Sequence, residues 1–146
     1  MTTITTDAAV AAVEEQMTVL AGNIRASMRD TALFIDPTLQ PFGLKFMRML
    51  ERCGPTHAGA LAETLVVDKS VISRQARALY DLGLITTQAD NDDGRVKYFA
   101  LTPLAVHKLA EARASKSPRV LSRLQTWSGD DLTRFAEFLA RLNTAD

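Results

Sequence analysis

The side chains best placed to do chemistry lie between Thr56 and Thr102, and their chemistry is recognition rather than bond-making. With Ile72 at zero on a helical wheel and steps of about 100° per residue, Ala76 and Leu79 fall within ~40° of it. Ser70, Ser73, Arg74 and Arg77 gather on the opposite side, with Asp81 at the far end and Val71 and Gln75 at the margins. An arginine can hold a guanine edge by two bonds or grip a phosphate, and a serine hydroxyl reaches phosphates or either base. The helix start at Asp68, Lys69 and Ser70 adds backbone amides that favour a phosphate. A polar helix face is, by itself, most often a solvated one. Position lowers that reading, because this helix is the second of two short ones and a hairpin bearing Arg95 and Lys97 follows it.

The hairpin tip reads Asp90-Asn91-Asp92-Asp93-Gly94-Arg95, with Lys97 just beyond. Gly94 is expected to permit the turn, and Arg95 to project at or beside the tip, where the negative potential of a narrow minor groove attracts a guanidinium. Asp93 is expected to orient Arg95 or cap the turn, since a carboxylate near phosphates is repelled. By composition alone, an ordinary acidic turn is an equal reading. The candidate DNA-contacting residues are thus Lys69, Ser70, Val71, Ser73, Arg74, Arg77, Arg95 and Lys97, with Asp93 and Gly94 supporting the wing.

Several elements must position these groups. Val10, Val13, Met17, Leu20, Ala21, Ile24 and Met28 recur at three- and four-residue steps, which predicts one amphipathic helix from about Asp7 to Asp30. At ~24 residues it would be roughly 36 Å long, more than a small domain can cover, so its stripe calls for a second copy of the chain. Packing of the terminal helices on each other is the alternative. Asp36-Pro37 breaks the helix, and Pro41 opens another through Phe42, Phe46, Met49 and Leu50 toward Arg52. Cys53-Gly54-Pro55 ends it.

Thr56 is the expected cap of a short helix from His57 to Leu65, and Asp68 the cap of the next, which Gly83 terminates. Leu84–Ala89 and Val96–Leu101 read as strands. Thr102-Pro103 starts a helix bearing Leu104, Leu109, Val120, Leu121 and Leu124, with an interruption at Pro118 and a fresh start capped by Ser117. Ser128-Gly129-Asp130-Asp131 resembles a capping box before a last helix carrying Leu132, Phe135, Ala136, Leu139 and Leu142. The expected fold is mainly α with a small β-hairpin: a winged helix-turn-helix with N- and C-terminal dimerisation helices.

Composition narrows the classes further. At 146 residues, 47% of them apolar and 23% charged, the chain suits one globular domain. No apolar run approaches the ~20 residues of a membrane span, and MTTITTDAAV lacks the pattern of a signal peptide, so a cytoplasmic location is expected. Seventeen basic and 17 acidic residues give no net charge, which argues against a generic polyanion binder but not against local, specific contacts. Glycine loops for phosphate, nucleophile–base pairs and metal-ligand spacings are not evident, so an enzyme is the weakest reading and no cofactor or metal is expected. One cysteine, Cys53, rules out an internal disulfide and is expected to be a small buried residue. Phe34, Phe42, Phe46 and Met49 could line an effector cleft, although such spacing is more often plain core.

LAETLVVDKSVISRQARAL, LGLI, DGR and the following LTP together resemble the multiple-antibiotic-resistance regulator (MarR) family of bacterial transcription factors, as does WSGDDLTRFAEFLARL near the end. The likeness runs from about Leu39 to Leu142, and Asp93, Arg95, Leu101 and Thr102 match the family's wing signature. It implies a single domain over residues 1–146, with residues 1–35 and 103–146 as dimerisation helices and 39–102 as the DNA-binding lobe. It further implies a homodimer on a pseudo-palindromic operator in double-stranded DNA, usually a repressor, released when a small, often aromatic, effector binds between the dimer helices and the lobe. Ser70, Ser73, Arg74 and Arg77 match recognition-helix positions. The sequence departs from the family at Val66, where glycine is frequent, at Gln75, where an apolar residue is common, and at Pro118, in a helix usually continuous. A winged-helix module for protein or ligand contact without DNA is the alternative.

Overall fold

The structure is a computed structural model describing residues 5–115 and 119–144; the expected break at Ser117 and Pro118 lies outside them. Among the described residues, helix α1 (Thr6–Ile35) is followed by α2 (Pro41–Cys53), strand β1 (Thr56–His57), α3 (Ala58–Leu65) and α4 (Lys69–Asp81). Then come β2 (Ile85–Ala89), β3 (Lys97–Leu101), α5 (Pro103–Ser115), α6 (Arg119–Leu124) and α7 (Gly129–Asn143). The chain divides into two compact units, Met28–Lys116, and Met1–Ser27 with Ser117–Asp146.

The Met28–Lys116 unit holds the core. Helix α2 supplies most of it, burying Gly43, Leu44, Phe46, Met47, Met49 and Leu50, and starts with Pro41 in its first turn, where a missing amide costs nothing. Leu61 and Ala62 of α3, Ile72, Ala76 and Leu79 of α4, and Ala105, Leu109 and Ala112 of α5 complete the same cluster. Leu104, expected among the apolar positions of α5, is instead 46% exposed. Gly43 gives close packing here: a Cβ would stand 2.6 Å from Leu39 Cδ1 and 3.5 Å from Leu79 Cδ2, so the Leu39 side chain would have to shift.

Strands β2 and β3 form the expected hairpin, with Ile85 opposite Leu101 and Ala89 opposite Lys97. The sheet has a third strand that the sequence reading misses. Thr56 and His57 pair with Phe99 and Tyr98, giving the antiparallel order β1-β3-β2. Two residues are too few to show a periodicity. That pairing also changes the cap of α3: Thr56 is drawn into the sheet, and the His57 side chain accepts the Ala60 amide at 3.1 Å. Phe99 meets Phe46 edge to face at 5.8 Å, fixing the sheet on α2.

Helix α1 runs past the expected end at Asp30 to Ile35, and stops at the Asp36-Pro37 break, where Asp36 Oδ1 accepts the Thr38 amide at 2.8 Å and hydroxyl at 2.6 Å. Those bonds hold its carboxyl below the usual range. The carbonyl of Ile35 accepts a bond from Lys108 Nζ of α5 at 3.0 Å, which supplies the cation that the last turn of α1 lacks.

The other unit is built differently. None of the residues of α7 is buried, and in α1 the buried residues are Ala32 and Ile35, both belonging to the core-bearing unit. Val10, Val13, Met17 and Ile24 of the predicted stripe are 44–56% exposed. Ser128 caps α7 as the sequence suggests, accepting the Asp131 amide at 3.2 Å, and Trp127 stacks edge-on against Phe135 at 5.4 Å.

The turn between α3 and α4 carries local strain. Val66 adopts φ 57°, ψ 52°, and among the described residues it is the one non-glycine with positive φ. The Val67 amide reaches back to the Ala62 carbonyl at 3.0 Å, and the Val66 amide to that of Glu63 at 3.4 Å. This closes a Schellman-type end in which Val67 packs on the core. A β-branched residue is costly in this conformation, and Val66, 86% exposed, recovers little by burial. Val66→Gly is therefore expected to stabilise the protein by about 0.5–1 kcal/mol, the relief of backbone strain being partly offset by glycine's freer unfolded state. Urea denaturation at fixed protein concentration checks this, and a lowered midpoint would contradict it.

Candidate nucleic-acid interface

Helix α4 presents the two faces that its sequence implies. Ile72, Ala76 and Leu79 are buried, while Lys69, Ser70, Ser73, Arg74, Arg77 and Asp81 are exposed, with Val71 and Gln75 half-buried between them. Asp68 occupies the N-cap position, yet its side chain makes no cap hydrogen bond. The helix therefore begins with amides that its own cap leaves without an acceptor.

Tyr80 belongs to the same outer face and was missed. It is 59% exposed. Seven steps of about 100° bring it within ~20° of Ser73 on the wheel. The helical wheel alone thus places Tyr80 on the polar side of α4.

In the wing, carboxylates serve the backbone. Asp93 Oδ1 accepts the Arg95 amide at 3.0 Å, and the Val96 amide closes on the Asp93 carbonyl at 3.0 Å. Asp90 Oδ1 accepts the Asp92 amide at 3.2 Å, and its Oδ2 accepts the Tyr98 hydroxyl at 3.4 Å. The Asp90 charge, then burial, pushes the Tyr98 hydroxyl above its ordinary pKa. Gly94 lies in this turn without a positive φ; the glycines that have one among the described residues are Gly54 and Gly83. The Asp93 side chain makes the turn instead, which is the role short acceptor side chains take in such loops. Arg95 and Lys97 are exposed beside it.

The charge state of the arginines decides what this surface can do. Among the described residues the ion pairs are His107–Glu111 and Arg113–Glu51, and neither involves Arg74, Arg77 or Arg95. Arg113 shows the contrast, its guanidinium bonded twice to the Glu51 carboxylate at 2.9 and 2.5 Å, which raises its pKa. The α4 and wing cations, carried by one compact unit, are free to meet an external anion.

Two other expectations change. Cys53 is exposed, because it closes α2 one turn beyond the buried Met49 and Leu50. Phe46 and Met49 are core and Phe42 packs on it, while Phe34 is 46% exposed; these four therefore do not share one environment. Groups of three or more metal-ligating side chains are absent among the described residues.

Comparison with known proteins places this geometry. The MarR family model matches residues 44–97, the stretch from α2 into β3. An uncharacterized HTH-type transcriptional regulator of Bacillus subtilis (strain 168), YxaD, is 36% identical over 99 residues, covering 68% of this chain and 69% of its own. Among solved structures, a MarR family protein from Bacillus stearothermophilus superposes with a TM-score of 0.77 at 17% identity, over 94% of this chain and 95% of the other. A mutant MarR from E. coli, complexed with operator DNA, gives 0.67 at 12% identity, over 91% and 96%. At such identities the solved structures speak to the fold, whereas the Bacillus subtilis relative and the family model reach the sequence itself. The chain belongs to the MarR family of transcriptional regulators.

Proposed function

We propose that this protein is a cytoplasmic, homodimeric repressor that binds a pseudo-palindromic operator and is released by a small-molecule effector. The observation that carries the DNA-binding part is the set of three exposed guanidinium groups, Arg74 and Arg77 on α4 and Arg95 on the wing, that no carboxylate neutralises among the described residues. Lys69, Ser70, Val71, Ser73 and Lys97 stand beside them. In this reading α4 enters the major groove, where arginine and serine read base edges and phosphates, and Arg95 reaches the adjacent minor groove. Asp93 and Gly94 support the tip. The solved E. coli relative bound to operator DNA supports the same use of the fold.

Dimerisation is supported by the unit that lacks a core. Val10, Val13, Met17, Val19 and Ile24 of α1, with Phe138, Leu139 and Leu142 of α7, are 38–60% exposed. So much apolar surface on a water-exposed chain calls for a partner, and a second copy offers the matching one by symmetry. Residues 1–35 and 103–146 then serve dimerisation and residues 39–102 serve DNA. A dimer sets two α4 helices about 34 Å apart and so dictates the half-site spacing.

Protein–protein contact without DNA is the second reading, favoured by the local charge from Gly54 to Thr102, where Lys69, Arg74, Arg77, Arg95 and Lys97 are balanced by Glu63, Asp68, Asp81, Asp90, Asp92 and Asp93. Selection from a random duplex pool separates the two: recovery of a palindromic motif supports DNA binding, and recovery of none supports the interaction module.

On the selected operator, Arg74→Ala and Arg95→Ala are each expected to weaken binding by about 1–3 kcal/mol in a gel-shift titration; wild-type affinity in both would remove their assigned roles. Affinity should fall steeply between low and moderate salt, since each neutralised phosphate releases counterions; a flat dependence would count against phosphate contacts. The double variant Phe138→Glu, Leu142→Glu should sediment as a monomer and lose most operator affinity, whereas an unchanged sedimentation coefficient would overturn the dimer.

A further inference from the structure

Within the Met28–Lys116 unit, a cleft of about 380 Å³ opens between the α1–α2 connection and the flank of α4. Leu39 and Leu79 form its floor, both buried, and Gly43 beneath them leaves them room. Leu82 and Ala78 extend the apolar wall, while Gln40, Gln75 and Asp81 bring polar ends to the rim. The volume lies in the range of small-ligand sites, and an apolar floor with a few polar groups is their usual make-up.

The polar groups are a hydroxyl, two carboxamides and one acid, from Thr38, Gln40, Gln75 and Asp81. Asp81 is the only charged residue among those lining the cleft, and it takes part in neither ion pair among the described residues. It is also the last residue of α4, whose final turn holds no basic side chain. A helix C-terminus carries partial negative charge, so the carboxylate and the helix end add rather than cancel. Gln75 explains itself here: where an apolar residue would pack, a half-exposed carboxamide stands at the mouth of the cleft.

From this charge complementarity we infer that the cleft is a binding site for a small organic cation, an ammonium group on a flat apolar body. The body lies on Leu39, Leu79 and Leu82, the ammonium faces Asp81 at the negative end of α4, and the carboxamides of Gln40 and Gln75 accept its remaining hydrogens. The ligand bridges the α1–α2 connection to α4, so it differs from an effector seated between the dimer helices and the lobe. Its influence on DNA affinity rests on the DNA-binding reading; its binding does not.

Tryptamine and its charge-reversed near-isostere indole-3-propionate are the probes, titrated into the full chain without DNA and followed by amide chemical shifts. Tryptamine should shift residues 38–40 and 75–82 in a saturable way, and indole-3-propionate should leave them in place. Asp81→Asn should weaken tryptamine binding about fivefold, the scale of one partly exposed ion pair, and Ala78→Phe, which fills the cleft from an exposed position, should abolish it. Unshifted spectra elsewhere in both variants establish that they fold. Equal binding of the two probes, shifts confined to other residues, no response at about 10 mM tryptamine, or full binding by both variants would each overturn the site. A gel-shift on the selected operator without tryptamine reports on DNA binding separately, so failure of either reading is recognisable alone.

Discussion

The placement of α4 rests on three buried side chains, Ile72, Ala76 and Leu79, pressed against a core that α2 dominates. Burial of an isoleucine or leucine contributes about 1.5–3 kcal/mol, so this short face fixes the helix more firmly than its surface ion pairs could. Ala76 lets the helix approach closely, and Gly43 does the same from α2, where a Cβ would push the end of the Leu39 side chain aside. Every outward group on α4 owes its direction to this inward grip. The grip also frees the arginines: a helix held by apolar contact has no need to spend its cations on internal carboxylates.

Carboxylates near the recognition surface follow the same economy. In the wing, Asp90 and Asp93 accept backbone amides and a tyrosine hydroxyl, so their oxygens are used locally while Arg95 stays unpaired. That resolves the apparent conflict between an acidic tip and a role against phosphates. The α4 carboxylates differ: the Asp68 side chain makes no cap hydrogen bond, and Asp81, in neither ion pair among the described residues, stands at the end of the helix where negative charge is least welcome.

The two compact units differ in what completes them. One encloses an aromatic and aliphatic core of its own; the other leaves valines, leucines and phenylalanines half exposed along α1 and α7. Among the described residues, the second buries none of these side chains within the chain itself. In the proposed dimer, two α4 helices would be set at a fixed spacing only when the terminal helices find their partner.

The polar and apolar faces of α4, the proline and glycine bounds of α2 and α4, the hairpin and the capping box of α7 were all legible in the chain, because each depends on residues within a few positions of one another. Tertiary structure alone decided the rest. The two-residue strand β1 exists only because β3 offers it an edge, and that pairing moved the α3 cap from Thr56 to His57. Exposure of Cys53 depended on where the core stops, which no local pattern states. Periodicity tells which side chains share a face; only the assembled neighbours tell whether that face is covered, since burial is a property of what lies opposite.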